Sequence, residues 1–541
     1  MRNGKKSGLI LSLILMLMLA LSACTGTKVQ QNAAYTEAAS VLKETEIKLD
    51  GTNGMSEELV VALQNVQYTE PKSIIFMIGD GMGHQIIEAA QAVYSDQLYN
   101  GTLAMNYMPQ KTMQSTYSAS AQTTDSAAGA TALSTGYKTS NKTVAMNMSG
   151  KESYKTTLEI AAEQGKSTGV VATKAVTDAT PAAFTAHVAK RDMQEEIAGQ
   201  QLAKLTDGSL DLILGGGLSF YEAELNTEAV EAAKKAGVTL ATDWATASAA
   251  KLPMAGLFAE ELMDTADETL PTLAQMTDLA ISQLSQNKKG FFLMVEGSQI
   301  DTYGEKNMFE RETKELYDFD CAVAIAMRYV ALNPDTVLII TADHETGGIQ
   351  LPAETTPDNV GEITYTTTGH TYKSVPVYAA GWRTEELANT NDNVDVGMFV
   401  ASLLGVEEFG EKSTLETLVE GEVVLTYDAE KQTLVLPMEA FSEKLKAAEN
   451  PRVLYVTVKN PGDSIAVLPD LILRTPLEEI VEPQVDYIGG GETMLVSYVL
   501  PGDLWMQKDF AKLLSAAFSA EAGQENLEFS DLILKERAPG K

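Results

Sequence analysis

The sequence predicts an α/β fold: a mostly parallel sheet flanked by helices, followed by a β-rich α+β accessory domain at the C-terminus. Three observations carry this prediction. Short apolar runs bounded by Gly, Asp or Asn recur from Lys72 onward, amphipathic segments lie between them, and β-branched residues become frequent after Gly405. Such runs suit strands that are buried on both faces, and their alternation with helical segments is typical of parallel sheets.

The individual elements follow from the same patterns. The runs predicted as strands of the sheet are 73–78, 168–173, 210–214, 290–295, 336–341 and 375–379. Amphipathic spacing predicts helices over 273–284 and 314–329. In the accessory domain we expect strands over 421–427, 453–458, 464–473 and 493–499, and a helix over 509–518.

The N-terminus has the pattern of a secretory signal. Three basic residues precede an apolar run over 9–21, and Leu-Ser-Ala stands directly before Cys24. This resembles a bacterial lipobox, which implies cleavage before Cys24, acylation of its thiol and a lipid anchor on the outer face of the cytoplasmic membrane. An ordinary signal peptide with an incidental cysteine is the alternative. The predicted divisions are a signal peptide (1–23), a tether that leads into a short packed N-terminal segment (24–66), a catalytic domain (67–405) and the accessory domain (406–541).

Charge and cysteine content exclude some classes of function. The formal net charge is −34, so no basic stripe is available to displace counterions from a nucleic acid. Anionic phosphate esters remain suitable ligands if bound cations invert the local field. The second of the two cysteines, Cys321, falls in the helix predicted over 314–329, where we expect it to be a buried apolar residue.

Carboxylates collect where predicted strands end. Asp80 follows the first run between two glycines, Glu296 follows the run at 290–295 with Asp301 beyond it, and Asp343-His344 follows the run at 336–341. In open α/β sheets, ligands bind beyond the carboxyl ends of the strands. Carboxylates combined with an imidazole therefore predict a site for divalent cations at this edge.

Two further segments carry candidate residues. Ser126 precedes a run of small residues that allows a helix to begin there, and a helix N-terminus favours an anion beside the hydroxyl. A serine at this position is also a common helix cap. Thr180-Pro181 is a second predicted helix start, and Arg191 would lie about three turns beyond it if that helix continued. Its planar guanidinium could bind two phosphate oxygens.

Five motifs occur in the order in which the alkaline phosphatase family has them. They are Ile-Gly-Asp-Gly-Met-Gly (78–83), Thr-Asp-Ser-Ala-Ala (124–128), Asp-Ala-Thr-Pro-Ala-Ala (178–183), Val-Glu-Gly-Ser-Gln-Ile-Asp (295–301) and Thr-Ala-Asp-His (341–344). Residues 67–405 thus resemble this family. The resemblance implies an alkaline-phosphatase-like fold and metal-dependent hydrolysis of phosphate monoesters through a phosphoserine. It leaves a homodimer open as the assembly.

The resemblance also implies roles for individual residues. Ser126 would be the nucleophile and Arg191 would bind the phosphate. Asp125 and Asp178 would contact these functional residues without touching the phosphate themselves. The implied metal ligands are Asp80, Asp343, His344 and Ser126 for one zinc, Asp301 and His370 for a second zinc, and Asp80, Thr180 and Glu296 for a magnesium.

One position departs from the family pattern. The family has a histidine four residues after the aspartate that is Asp301 here, and this chain has Glu305. Three interpretations stay open: Glu305 binds the metal through oxygen, the second zinc site is weak or empty, or the protein binds a ligand without turnover. The competing functions are accordingly a non-catalytic surface-binding lipoprotein of the same fold, and a related phosphodiesterase or sulfatase.

Overall fold

The computed structural model describes residues 33–47, 53–352, 355–389, 392–411 and most of 413–537. Cys24 and the predicted signal segment therefore lie outside the described residues. No helix within the described ranges combines the length and apolar character that crossing a membrane requires. The domain boundaries proposed above stay predictions.

A large mixed sheet lies at the centre of the fold. The strands up to residue 380 are β1 (Ser73–Gly79), β2 (Gln110–Gln114), β3 (Ser167–Ala175), β4 (Leu212–Gly216), β5 (Thr239–Ala241), β6 (Met254–Leu257), β7 (Phe291–Gly297), β8 (Thr336–Thr341), β9 (Glu345–Thr346), β10 (His370–Thr371) and β11 (Val375–Ala380). Among the described residues, nine of them form one sheet in the order β2-β11-β8-β1-β7-β3-β4-β6-β5, while β9 pairs with β10. Strand β11 is antiparallel to both neighbours, and the remaining pairs of this sheet are parallel.

Helices connect the strands and cover both faces of the sheet. They are α1 (33–44), α2 (Glu57–Asn65), α3 (His84–Tyr94), α4 (Ser126–Thr135), α5 (Thr157–Glu163), α6 (Ala179–Thr185), α7 (Gln194–Asp207), α8 (Leu218–Tyr221), α9 (Thr227–Ala236), α10 (Trp244–Ala249), α11 (Leu273–Leu284), α12 (Gln299–Gly304), α13 (Phe309–Leu332) and α14 (Asn393–Leu403). Short 3-10 turns lie at Ser95–Gln97, Tyr99–Gly101, Ala104–Tyr107, Glu224–Asn226, Val360–Glu362 and Thr384–Asn389.

Two apolar clusters hold the sheet between these helices. In β1, Ile75 and Met77 belong to a cluster that includes residues of α11 and α13. Ile74 and Phe76 belong to a second cluster with residues of α7 and α14, because successive side chains of a strand point to opposite faces. Every residue of β1 is buried, as expected for a central parallel strand. The strand ends are consequently rigid supports for the side chains that follow them.

The C-terminal part consists of antiparallel sheets with their own core. Its strands are β12 (Ser413–Glu422), β13 (Thr426–Asp428), β14 (Thr433–Val435), β15 (Pro451–Lys459), β16 (Ala466–Val467), β17 (Leu471–Arg474), β18 (Glu479–Val481), β19 (Tyr487–Ile488), β20 (Thr493–Val499), β21 (Ser515–Ser519) and β22 (Glu528–Arg537). In the described part they form sheets in the orders β12-β22-β15-β20, β13-β14-β21-β17-β18 and β16-β19. Val456, Tyr498, Phe518 and Leu534 lie in the core.

The fold class predicted from the sequence is confirmed. All six predicted strands of the large sheet are present, the helix over 273–284 has the observed bounds, and 314–329 lies inside α13. Cys321 is buried in that helix, as expected. The prediction of a helix over 509–518 is wrong for 515–518, the part of it that the structure describes, because residues 515–519 form β21. That strand pairs with β14 and β17, and sheet pairing outweighs the helix propensity of its alanines.

Candidate active site

The predicted ligands meet at the carboxyl ends of three neighbouring strands. Asp80 follows β1, Glu296 lies near the end of β7, and Asp343 and His344 follow β8. These strands are hydrogen-bonded side by side in the order β8-β1-β7. The side chains of all four residues are almost fully buried. The parallel sheet thus gathers acidic residues that are far apart in the sequence.

Ser126 is brought to this cluster by the start of α4. Asp125 is the N-cap of the helix, and its side chain accepts a hydrogen bond from Ala128 N at 3.1 Å. Ser126 Oγ lies 3.2 Å from His344 Nε2. The helix can approach so closely because position 129 is glycine: a Cβ there would stand 2.7 Å from the Asp343 carbonyl oxygen. A larger side chain at position 129 would push Ser126 out of the site.

Asp80, Asp343 and His344 form the first group that could hold a cation. Their ligand atoms lie within 4.8 Å of one another. His344 Nε2 is 3.3 Å from Asp80 Oδ1 and 3.4 Å from Asp343 Oδ2, yet neither oxygen accepts a hydrogen bond within the described part of the chain. Buried carboxylate oxygens without a donor are costly unless a cation lies between them.

Thr346 fixes the orientation of the His344 imidazole. The Thr346 hydroxyl donates a hydrogen bond to Asp301 Oδ1 at 2.6 Å. Because its one proton is used there, Thr346 Oγ1 can only accept a hydrogen bond from His344 Nδ1, which lies 3.2 Å away. The proton of His344 is therefore on Nδ1, and the Nε2 lone pair points at Asp80, Asp343 and Ser126. This arrangement of acceptors fits a divalent metal, and a hydrogen bond behind the imidazole is a usual feature of metal-binding histidines.

Asp301, His344 and His370 form a second candidate group. His370 Nδ1 donates to the Thr124 carbonyl at 2.9 Å, and its Nε2 lies 3.3 Å from Asp301 Oδ1. Glu305 Oε1 is 3.8 Å from the same Nε2, and its side chain is about half exposed. Glu305 therefore lies at the rim of this group, beside the residues with which the sequence associates it. His344 belongs to both groups, whereas the sequence placed it with the first zinc alone.

Of the residues assigned to magnesium, Asp80 belongs to the first group, and the charge of Glu296 acts on Asp80. Thr180 Oγ1 is buried and has no hydrogen-bond partner among the described residues, and Glu296 Oε2 accepts a hydrogen bond from Ser298 Oγ at 2.6 Å. Neither residue belongs to the two groups of three described above. The unpartnered Thr180 hydroxyl fits a hard cation that takes oxygen ligands, so magnesium at Asp80, Thr180 and Glu296 stays a prediction with chemically suitable donors.

Arg191 reaches the site by a route that the sequence did not predict. Helix α6 ends at Thr185, and its N-cap is Asp178, so Arg191 extends from the following loop and not from a continued helix. Its backbone N–H donates to the Lys142 carbonyl at 2.8 Å. Its guanidinium donates to Asp125 at 3.3 Å and to Asp178 at 3.0 Å. Two of the five N–H donors are used in these contacts.

Lys174 is a site residue that the sequence reasoning missed. It lies near the end of β3, and its Nζ is 2.6 Å from Asp178 Oδ2, while Arg191 binds the other oxygen of that carboxylate. The predicted strand stopped at residue 173, two positions before the observed end of β3. The signal that could have found Lys174 is the rule that identified Asp80: a charged residue at the carboxyl end of a buried parallel strand.

Burial and mutual repulsion make the carboxylates of the site difficult to ionise together. Burial, with the nearby charge of Asp343, raises the pKa of Asp80 well above its usual range. Burial raises the pKa of Glu296 to about 8, and burial with the charge of Asp301 raises the pKa of Asp343 to about 6. Bound cations would remove this penalty, since an adjacent positive charge favours the ionised form.

The pKa values of the two imidazoles are shifted in opposite directions. Burial, together with the neighbouring His370, lowers the pKa of His344 to about 3. Burial alone would lower the pKa of His370 as well, but the hydrogen bond to the Thr124 carbonyl and, above all, the hydrogen bond and charge of Asp301 together outweigh burial and raise the pKa to about 9. The same contact lowers the pKa of Asp301 despite its burial. Without a cation, a proton on His370 therefore neutralises Asp301.

The alkaline phosphatase family profile matches residues 71–361. Alkaline phosphatases 3 and 4 of Bacillus subtilis are 37% and 38% identical to this chain over 296 and 300 residues, covering 53% and 52% of it. The chain spans 63% of the length of each of these two relatives. Alkaline phosphatase of Escherichia coli K12 is 33% identical over 353 residues, which are 54% of this chain and 74% of that protein.

Solved structures show the same similarity. The alkaline phosphatase of the Antarctic bacterium TAB5 is 33% identical, has a TM-score of 0.56, and is matched over 63% of this chain and 99% of its own. A His-to-Glu variant of the TAB5 enzyme, with magnesium bound in the site named M3, is similar with the same TM-score and 32% identity, and the match has the same coverage. With this profile, these relatives and the gathered strand-end ligands, the chain belongs to the alkaline phosphatase family.

Proposed function

We propose that the protein hydrolyses phosphate monoesters in a metal-dependent reaction, with Ser126 as the nucleophile. The observation that carries the proposal is the position of Ser126 Oγ, 3.2 Å from His344 Nε2 at the N-terminus of α4. A buried hydroxyl among candidate metal ligands, at a helix N-terminus whose dipole favours negative charge, suits attack on a phosphorus centre.

We infer the ligands from the groups described above. One zinc would be held by Asp80, Ser126, Asp343 and His344, a second by Asp301, Glu305 and His370, and a magnesium by Asp80, Thr180 and Glu296. When bound, these cations lower the pKa of a nucleophile and neutralise charge that develops on phosphoryl oxygens. Of the three interpretations of Glu305 we favour ligation through oxygen, since its carboxylate lies beside His370 and Asp301.

The residues of the chain divide the chemical work. Arg191, held between Asp125 and Asp178, has N–H donors left to bind two oxygens of the phosphate. The Ser126 Oγ–P bond forms as the ester P–O bond breaks, and the alcohol takes up one proton for the one that the Ser126 hydroxyl loses. Water then attacks phosphorus, the Oγ–P bond breaks, a proton from the water restores the Ser126 hydroxyl, and inorganic phosphate is released. The N-terminal dipole of α4 stabilises the negative charge beside Ser126 throughout.

Hydrolysis of an aryl phosphate by the purified full chain tests the proposal. Activity is measured with zinc, magnesium, manganese or calcium added to chelator-treated protein. Ser126→Ala should lose the phosphoenzyme and reduce kcat by about 10⁴-fold or more, the order found when nucleophiles are removed. Ser282→Ala, at an exposed serine of α11, is the matched control and should keep full activity. Full activity of Ser126→Ala means that the nucleophile is misassigned.

No turnover by folded protein under any metal would favour the binding-only alternative, which rests on Glu305 alone. Activity on diesters or sulfate esters exceeding that on monoesters would favour the related phosphodiesterase or sulfatase.

We further propose that the chain is exported and anchored in the membrane through acylated Cys24. The support is the basic, apolar and small-residue pattern that ends at this cysteine. Labelled fatty acid should enter the wild-type chain and not a Cys24→Ala variant. Equal labelling of both chains would contradict the anchor. We also propose a homodimer as the assembly, which sedimentation analysis would test directly.

A further inference from the structure

The C-terminal β domain contacts the segment that leads into the nucleophile. We call residues 115–125 the pre-nucleophile segment. Gln122 Nε2 donates to the Val499 carbonyl, at the end of β20, at 2.8 Å. Tyr117 is buried in an apolar cluster with Val453, Tyr455 and Val499. The segment is thus attached to the C-terminal sheet by a hydrogen bond and by packing.

The same segment supports the active site directly. The Thr124 carbonyl accepts the hydrogen bond from His370 Nδ1, and Asp125 both caps α4 and binds Arg191. Ser126 comes next in the chain. The backbone within four residues of Gln122 therefore orients the His370 imidazole, places the carboxylate that binds Arg191, and positions Ser126.

The other end of the segment is held by a buried ionic network. Tyr117 donates from its hydroxyl to Asp392 Oδ2 at 2.7 Å, and Lys138 Nζ donates to the Tyr117 carbonyl at 2.6 Å. Lys138 and Asp392 form a buried ion pair at 2.8 Å. This network fixes Tyr117, and the attachment of Gln122 comes from the C-terminal sheet.

A second contact joins the same two parts of the chain elsewhere. Lys535 Nζ in β22 lies 2.7 Å from Asp395 Oδ2 at the start of α14, and the Lys535 side chain is 5% exposed. This ion pair does not involve the pre-nucleophile segment. It therefore offers a matched control that disturbs the interface without touching the residues that lead to Ser126.

We infer that the C-terminal β domain holds the pre-nucleophile segment in place, and that Gln122 is a positioning residue which acts through Thr124 and Asp125 on His370 and Arg191. The kinetic part of this inference rests on the proposed phosphatase function, whereas the structural part does not. The inference assigns a role to the region after residue 405, in which the sequence shows no motif of its own.

Full-length variants test it. Gln122→Ala removes the donor, and Gln122→Glu keeps the length while it places a carboxylate against the Val499 carbonyl. Both should raise the inhibition constant for inorganic phosphate and lower kcat about three- to tenfold, the range expected for one lost hydrogen bond, with melting temperatures close to wild type. Lys535→Met should leave both kinetic constants unchanged.

Hydrogen exchange separates this inference from the proposed function. Amides of residues 117–125 should exchange faster in Gln122→Ala than in the wild type, and those of β1 and β7 should not. Unchanged exchange over 117–125 overturns the inference, as do kinetic constants within error of the wild type in an active enzyme. If the wild type shows no phosphatase activity, the proposed function fails while the exchange comparison still decides the inference.

Discussion

The imidazole rings of His344 and His370 are stacked, with centroids 3.5 Å apart and planes 18° from parallel. His344 follows β8, while His370 comes from β10, which pairs with β9 just after His344. The Thr346 hydroxyl and the Thr124 carbonyl each accept a hydrogen bond from one Nδ1–H group. Both Nε2 atoms consequently face the carboxylates, so the two candidate metal groups are adjacent and have His344 in common.

Removal of divalent cations is expected to lower the thermal stability of the protein. The carboxylates of Asp80, Asp343 and Glu296 are buried together, and bound cations stabilise only the folded state. For a cation at 1,000 times its Kd, this contribution is about 4 kcal/mol. Thermal unfolding with a chelator, and again after zinc and magnesium are restored, measures it. An Asp343→Asn variant should show a smaller metal dependence; equal melting temperatures with and without chelator would contradict the metal site.

Glu305→His should increase the affinity of the second group for zinc by about tenfold, equivalent to ~1.4 kcal/mol. Imidazole is a good zinc ligand, and the change removes one negative charge beside Asp301. Isothermal titration of chelator-treated protein with zinc measures the affinity, and zinc-supported activity should rise with it. Glu305→Gln, which removes the charge without adding an imidazole, is the control. If Glu305→His is less active than wild type, the glutamate serves another metal or role.

Lys174→Met should weaken the binding of inorganic phosphate by about tenfold, the equivalent of one hydrogen bond to a charged group. Lys174 and Arg191 share the two oxygens of Asp178, and together they hold the pKa of this buried carboxyl at about 2. Without Lys174, Asp178 would turn to Arg191 alone and draw it from the phosphate. Competitive inhibition by phosphate measures the change, and Lys174→Arg should restore part of the affinity. An unchanged inhibition constant in Lys174→Met would show that Lys174 does not contribute to phosphate binding.

Stability should fall between pH 4.5 and 7 because of Glu315, whose carboxyl is buried in α13 and accepts from Thr265. Burial raises its pKa in the folded chain to about 7, from an ordinary value of 4.5 for a glutamate. Across this window the folded state keeps a proton that the unfolded state has lost, so unfolding becomes easier as pH rises. The contribution is about 3 kcal/mol at most. Urea unfolding at pH 5 and pH 8 should show that Glu315→Gln loses less stability than wild type over this range. The opposite order would mean that Glu315 is ionised in the fold.

Some residues of the site were predictable because their signal is local. Asp80 and Asp343 stand directly after buried strands, and Ser126 stands directly before small residues that begin a helix. The carboxyl ends of the parallel strands all lie at one edge of the sheet, so a residue that follows such a strand is placed at this edge by local sequence alone. For Glu315 the local pattern carried no comparable signal, since a charged residue in an amphipathic helix is usually solvated, whereas the strand-end rule that points to Asp80 also covers Lys174.

The sequence by itself determined the parallel sheet, the strand ends that carry carboxylates and the helix start at Ser126, because burial periodicity and capping act over a few residues. Only the tertiary structure decided that His344 is shared by both candidate groups, that Arg191 arrives from a loop, that Lys174 binds Asp178, and that β20 contacts Gln122. The shared imidazole and the Gln122 contact depend on segments that are distant in the sequence and meet only in the fold, while the Lys174–Asp178 pair and the position of Arg191 depend on how the chain turns after β3 and α6.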